Sequence, residues 1–181
     1  MGDTAVSAPH LDALDRPPRF RWPLHHNRIR RGLKSHTFGP DVRRDAEGRP
    51  RAHQGWDFAA PIGTPCYAIG DGVVTLVEER GDYGLRVTLQ LDEQHTGRSL
   101  WAFYAHLSEA KVATGQRVRL GDVIALTGES GNARGMPVAD QHLHFELRTE
   151  PTPGLGLRGR IDPLEIYGSC PLGAAIEDVR P

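Results

Sequence analysis

After Trp56 the apolar positions fall into short runs separated by glycine, a pattern that predicts strands rather than helices. Cys66 to Ile69 is followed by Gly70-Asp71-Gly72 and then by Val73 to Val77. The cluster Gly81-Asp82-Tyr83-Gly84 predicts a turn before Leu85 to Leu91, where apolar and polar positions alternate with period two. His95-Thr96-Gly97 predicts a hairpin loop into Ser99 to His106. Further short apolar segments alternate with Gly115, Gly121, Gly128 and Gly131, and the last runs from Leu143 to Leu147. A helical period nowhere persists beyond about two turns, so long helices are not expected. The fold class read from this pattern is all-β, antiparallel, with few short helices and no internal repeat.

The flanks read differently. Residues 1–19 are polar, contain proline and lack periodicity, which predicts a flexible N-terminal arm. One domain over residues 20–168 and a C-terminal tail over 169–181 complete the expected organisation. Asp41 to Arg51 is almost entirely charged or turn-forming and is expected to be an exposed loop with solvated arginines.

Composition narrows the function classes. With 38% hydrophobic and 25% charged residues the chain can build a core, and 21 glycines and 14 prolines suit many tight turns. Twenty-two basic residues against 23 acidic ones leave a net charge of −1, which offers no broad footprint for nucleic acid. No apolar run approaches the roughly 20 residues of a membrane span. Met1 to His10 has neither a basic start nor an apolar stretch, so no signal peptide is recognised.

Nine histidines are many for this length, and their placement carries the chemistry. His53 and Asp57 lie four apart, and a turn at Gly55 could bring both to one metal. In His142-Leu143-His144-Phe145-Glu146 the two imidazoles share one face of a strand, while Leu143 and Phe145 face a core. Tyr104 and His106 are likewise two apart and are expected on one face. Each motif alone is weak, since strand histidines are often merely hydrogen-bonded. Together they supply two nitrogens and one carboxylate with an open fourth position, an arrangement typical of catalytic rather than structural zinc. Only Cys66 and Cys170 exist, far apart, so a cysteine-based zinc site is excluded.

The order His53-x-x-x-Asp57, Tyr104-x-His106-Leu107, His142-x-His144-Phe145-Glu146 resembles the lysostaphin/LytM-type zinc endopeptidases of bacterial cell walls. Ser35 to Gly39, Asp57 to Pro65, Gly70 to Val74, Gly115 to Ile124 and Thr127 to Gly131 resemble that family as well, so the likeness runs from about Phe20 to Tyr167. It implies an antiparallel β-sandwich of the lysostaphin, or duplicated hybrid motif, type. It implies Zn²⁺ held by His53, Asp57 and His144, with His142 as general base. His106 would hold the attacking water or the oxyanion, and Tyr104 would assist. The substrate implied is the peptide part of peptidoglycan, its stems and cross-bridges, with D,D-endopeptidase action favoured over glycyl-glycine cleavage. One departure is visible. The stretch Asn132 to Gln141 is longer than in the family and lacks a glycine-proline pair before the histidine motif, which bears on the groove wall and substrate preference. The Gly39–Ala52 segment is expected to form another wall.

Other readings remain at this point. A non-catalytic relative could bind wall fragments or activate another hydrolase, and a sugar-phosphotransfer component would need one histidine but not the His53/Asp57 pair. The two cysteines are either free thiols or a disulfide clipping the tail to the sheet. Action in the periplasm or extracellular wall without a recognised leader suggests a leaderless export route. That would suit a type VI antibacterial effector, blocked by a cognate immunity protein, or a phage lysis enzyme.

Overall fold

The glycine-bounded runs become strands in the computed structural model, which describes residues 20–179. The residues expected as a flexible arm lie outside the described ones. A short β1 (His26–Asn27) precedes a hairpin of β2 (Gly39–Arg44) and β3 (Pro50–His53). Next come β4 (Trp56–Ala59), β5 (Pro65–Tyr67), β6 (Gly72–Glu79) and β7 (Leu85–Leu91). The expected hairpin loop is a four-residue helix, α1 (Glu93–Thr96), closed by Gly97 in the left-handed region at φ 68°. It leads into the long β8 (Trp101–Ala110). Then follow β9 (Arg117–Val118), β10 (Val123–Thr127), β11 (His142–Arg148), β12 (Arg160–Ile161), the second four-residue helix α2 (Leu164–Tyr167) and β13 (Ile176–Glu177).

Nine strands make one antiparallel sheet along β12-β11-β8-β7-β6-β9, with β4 beside β11 and the β5–β10 pair attached through β8. This branching folds the sheet around a core. Phe58, Val87, Leu89, Tyr104, Leu143 and Phe145 are all fully buried in it. Alternation along β11 places Leu143 and Phe145 in that core and turns His142, His144 and Glu146 to the opposite face. Residues 171–178 pack against the domain. The Pro171 carbonyl accepts a hydrogen bond from the Ile29 amide, β13 pairs with β1, and Asp178 Oδ2 accepts from the Trp22 amide at 2.8 Å. Cys66 and Cys170 are free thiols.

Two expectations are corrected. The Asp41–Arg51 segment is not a loop: β2 and β3 pair antiparallel across it. Asp45 makes the turn, its Oδ1 accepting the amides of Glu47 and Arg49, and Gly48 supplies the positive φ of 77°. Nor do Tyr104 and His106 share a face. Between Leu85 and Val87 the β7 strand advances two residues while β8 advances three, from Tyr104 to Leu107. The extra residue is a bulge, with His106 at φ 61°. It leaves Tyr104 in the core, its hydroxyl donating to the Tyr67 carbonyl at 2.9 Å, and turns His106 into the cleft.

Candidate metal centre

Three short elements bring the donors together. Gly55 lets β4 lie against β11, since a Cβ there would stand 2.1 Å from the Phe145 carbonyl oxygen. In the resulting register Asp57 is directly opposite His144, and their Oδ1 and Nδ1 atoms are 2.9 Å apart. β3 delivers His53, whose Nε2 lies 3.2 Å from Asp57 Oδ1 and 3.3 Å from His144 Nδ1. One ligand atom from each of the three buried residues thus lies within 4.8 Å of the others.

The remaining ring nitrogens show which atoms are free to bind. His53 Nδ1 donates to the Thr37 carbonyl at 3.0 Å, which leaves an Nε2 lone pair facing inward. His144 Nε2 donates to Glu146 Oε1 at 3.0 Å, which leaves Nδ1 free. Asp57 Oδ2 is occupied by Arg43 Nη2 at 2.6 Å and His36 Nδ1 at 3.1 Å, so Oδ1 is the atom offered. Two imidazole nitrogens and one carboxylate oxygen, each oriented by an outer partner, suit Zn²⁺ with positions left for water and substrate.

Charge at the site supports a cation. Burial alone would raise the pKa of Asp57, but the neighbouring imidazoles of His53, His144 and His36 hold it well below the usual carboxylate range. Burial disfavours charge on His144, yet its contacts with Asp57 and Glu146 raise its pKa. The position between these carboxylates favours positive charge.

His142 and His106 stand beside the donor set, ring centroids 5.0 Å apart. His142 Nδ1 donates to the Asp140 carbonyl at 2.8 Å, and His106 Nδ1 donates to that of Ser130 at 3.0 Å. Both therefore present an Nε2 lone pair, and His142 Nε2 lies 3.9 Å from Asp57 Oδ1. Burial pushes the His106 pKa down to about 3 and that of His142 down to about 4, so both rings are neutral near pH 7. The cleft around them holds about 430 Å³ and is walled by the β2–β3 hairpin, Tyr83, Asn132, Met136 and Leu155.

Of the residues expected at the site, His53, Asp57, His106, His142 and His144 converge there and Tyr104 does not. Four residues given no role in the sequence reading support the site. Arg43 and His36 hold Asp57, Glu146 holds His144, and Tyr83 donates to Glu146 Oε1 at 2.7 Å. For Glu146 the signal was present, because it continues the alternation of His142 and His144.

The class that follows is a metallopeptidase on a β-sheet scaffold, with two neutral histidines beside the candidate metal position. The chain belongs to peptidase family M23, whose model matches residues 51–154. The peptidoglycan DD-endopeptidase ShyA of Vibrio cholerae is 35% identical over 127 residues, 70% of this chain and 27% of that protein. A crystal structure of a zinc-containing peptidase from Vibrio cholerae is 31% identical, with TM-score 0.58, covering 77% of this chain and 40% of that one. The catalytic domain of the antimicrobial peptidase lysostaphin from Staphylococcus simulans is 25% identical, with TM-score 0.58, covering 74% and 90%. The chain spans about a quarter of the length of the curated relatives it matches.

Proposed function

We propose that the protein is a zinc-dependent endopeptidase hydrolysing peptide cross-links of bacterial peptidoglycan, with D,D-endopeptidase action as its specific activity. The observation that carries this is the meeting of His53 Nε2, Asp57 Oδ1 and His144 Nδ1 within 3.3 Å beside two further neutral imidazoles. When bound, zinc brings the pKa of water to about 7 and polarises the carbonyl to be attacked.

The chain's own groups do the rest. His142 receives the water proton at Nε2, because its Nδ1 hydrogen is committed to the Asp140 carbonyl, and returns it to the leaving amine. His106 Nε2 is also an acceptor while neutral, so it takes a hydrogen bond from the attacking water and orients it. Tyr104, buried and bonded to the Tyr67 carbonyl, has no part in these steps.

The test is digestion of purified peptidoglycan by the zinc-loaded protein, with the released muropeptides identified by mass. Release of monomers from cross-linked dimers supports the proposal. An intact substrate with zinc verified at one per chain favours the non-catalytic, wall-binding alternative. A role as antibacterial effector or phage lysis enzyme would use the same cleft, and it predicts toxicity on periplasm-directed but not cytoplasmic expression. Equal toxicity in both compartments would count against that role. A cognate immunity protein would protect by covering the cleft.

A further inference from the structure

Arg51 stands in an unusual position. It lies two residues before His53 on β3, hence on the same strand face, roughly 6–7 Å further out along the strand. Both residues line the cleft. Directly across the hairpin Arg51 is paired with Arg43, a like-charge pairing that weakens an antiparallel ladder by itself. Arg43 is committed to Asp57 and to the Ser35 carbonyl, and Arg30 to Asp140. Among the described residues no hydrogen bond or ion pair engages the exposed Arg51 guanidinium. The cleft lining carries Arg30, Arg43 and Arg51 against Asp57 and Asp82, so it is net positive before any metal binds. An unengaged guanidinium at the mouth of such a cleft is suited to an anion, and its planar fork matches a carboxylate.

We infer that Arg51 anchors a substrate subsite, receiving a free carboxylate of an acidic peptide about one strand repeat from the bond that is cut. This rests on the hydrolytic reading of the same site and adds a substrate requirement to it. The cleft would prefer peptides whose carboxylate beside the scissile bond is free over those in which it is amidated.

The experiment uses the zinc-loaded full chain and a purified cross-linked muropeptide dimer in two forms, native and with its carboxylates converted to carboxamides. The wild type should cleave the native dimer with a kcat/KM about 10- to 100-fold higher, the worth of a charge-assisted hydrogen bond. Arg51→Gln should bring the two forms to parity, mainly through KM. Equal cleavage of both forms by the wild type, or a preference that survives in Arg51→Gln, overturns the inference. A second arm measures calorimetric binding of both dimers to zinc-loaded His142→Ala, with and without Arg51→Gln. If the wild type cleaves neither form, the hydrolytic proposal falls and this arm decides the subsite. Selective loss of native-dimer binding on removing Arg51 sustains it, and unchanged binding overturns it.

Discussion

The base role proposed for His142 depends on what its other nitrogen does. The Asp140 carbonyl takes the Nδ1 hydrogen, and Asp140 is itself clamped by Arg31 at 2.6 and 2.7 Å and by Arg30 at 3.3 Å. Arg31 sits at φ 55°, a conformation costing on the order of 1–3 kcal/mol in a non-glycine residue, held here by its bidentate ion pair. His142→Ala should lower kcat by about 10²- to 10⁴-fold with one zinc per chain retained, read by coupled metal analysis and digestion. Near-normal turnover with zinc bound would remove His142 as the base. Asp140→Ala keeps the carbonyl but releases the clamp, and a loosened imidazole should cost about 10- to 100-fold in kcat with KM and zinc content unchanged. If kcat holds, the clamp serves only the fold.

At the scale of elements, the close approach of β4 to β11 is what turns two motifs into one site. A Cβ on Gly55 would meet the Phe145 carbonyl at 2.1 Å, and backbone cannot yield as a side-chain tip can. Gly55→Ala should therefore separate Asp57 from His144, lowering both zinc stoichiometry and melting temperature. A variant with full zinc occupancy would show that β4 tolerates the shift. The alternation that exposes His142 and His144 and buries Leu143 and Phe145 was legible, because it depends on β11 alone. The placement of Tyr104 was not, because a bulge is a property of two strands in register, and β8 shows it only against β7. Arg43 was missed for a related reason. Its reach to Asp57 follows from the Asp45 turn that pairs β2 with β3, and a charged run does not announce that pairing. Among these residues, a side chain was readable from sequence when its direction was set within one strand. It was unreadable when a neighbouring strand decided it.

Over the whole molecule, distant segments converge on Glu146. Fully buried, it accepts from Arg148 and Arg160 at 2.7 Å each, from Tyr83 at 2.7 Å and from His144 at 3.0 Å. Burial would raise its pKa, but His144 and Arg148 hold it far below the usual range. Arg160 also donates to the carbonyls of Gly154 and Gly156, so the segment carrying Leu155 is fastened to the same carboxylate that orients His144, a proposed metal ligand. Glu146→Ala would leave two buried guanidiniums uncompensated and should cost about 3–5 kcal/mol in urea unfolding. This network also makes metal binding a property of the folded molecule, since the three donors come from β3, β4 and β11 and meet only when the sheet is complete. Zinc at 100 times its Kd should then stabilise the protein by about 2.7 kcal/mol. In a domain of this size that corresponds to a rise of about 5–10 °C in Tm. His53→Ala and Asp57→Ala should abolish the rise, whereas His142→Ala should keep it, because His142 Nδ1 is bound to a carbonyl and its Nε2 is assigned to proton transfer in the proposed mechanism. Scanning calorimetry with and without chelator separates the cases. A zinc-dependent rise lost in His142→Ala would make His142 a ligand and reassign the base to His106.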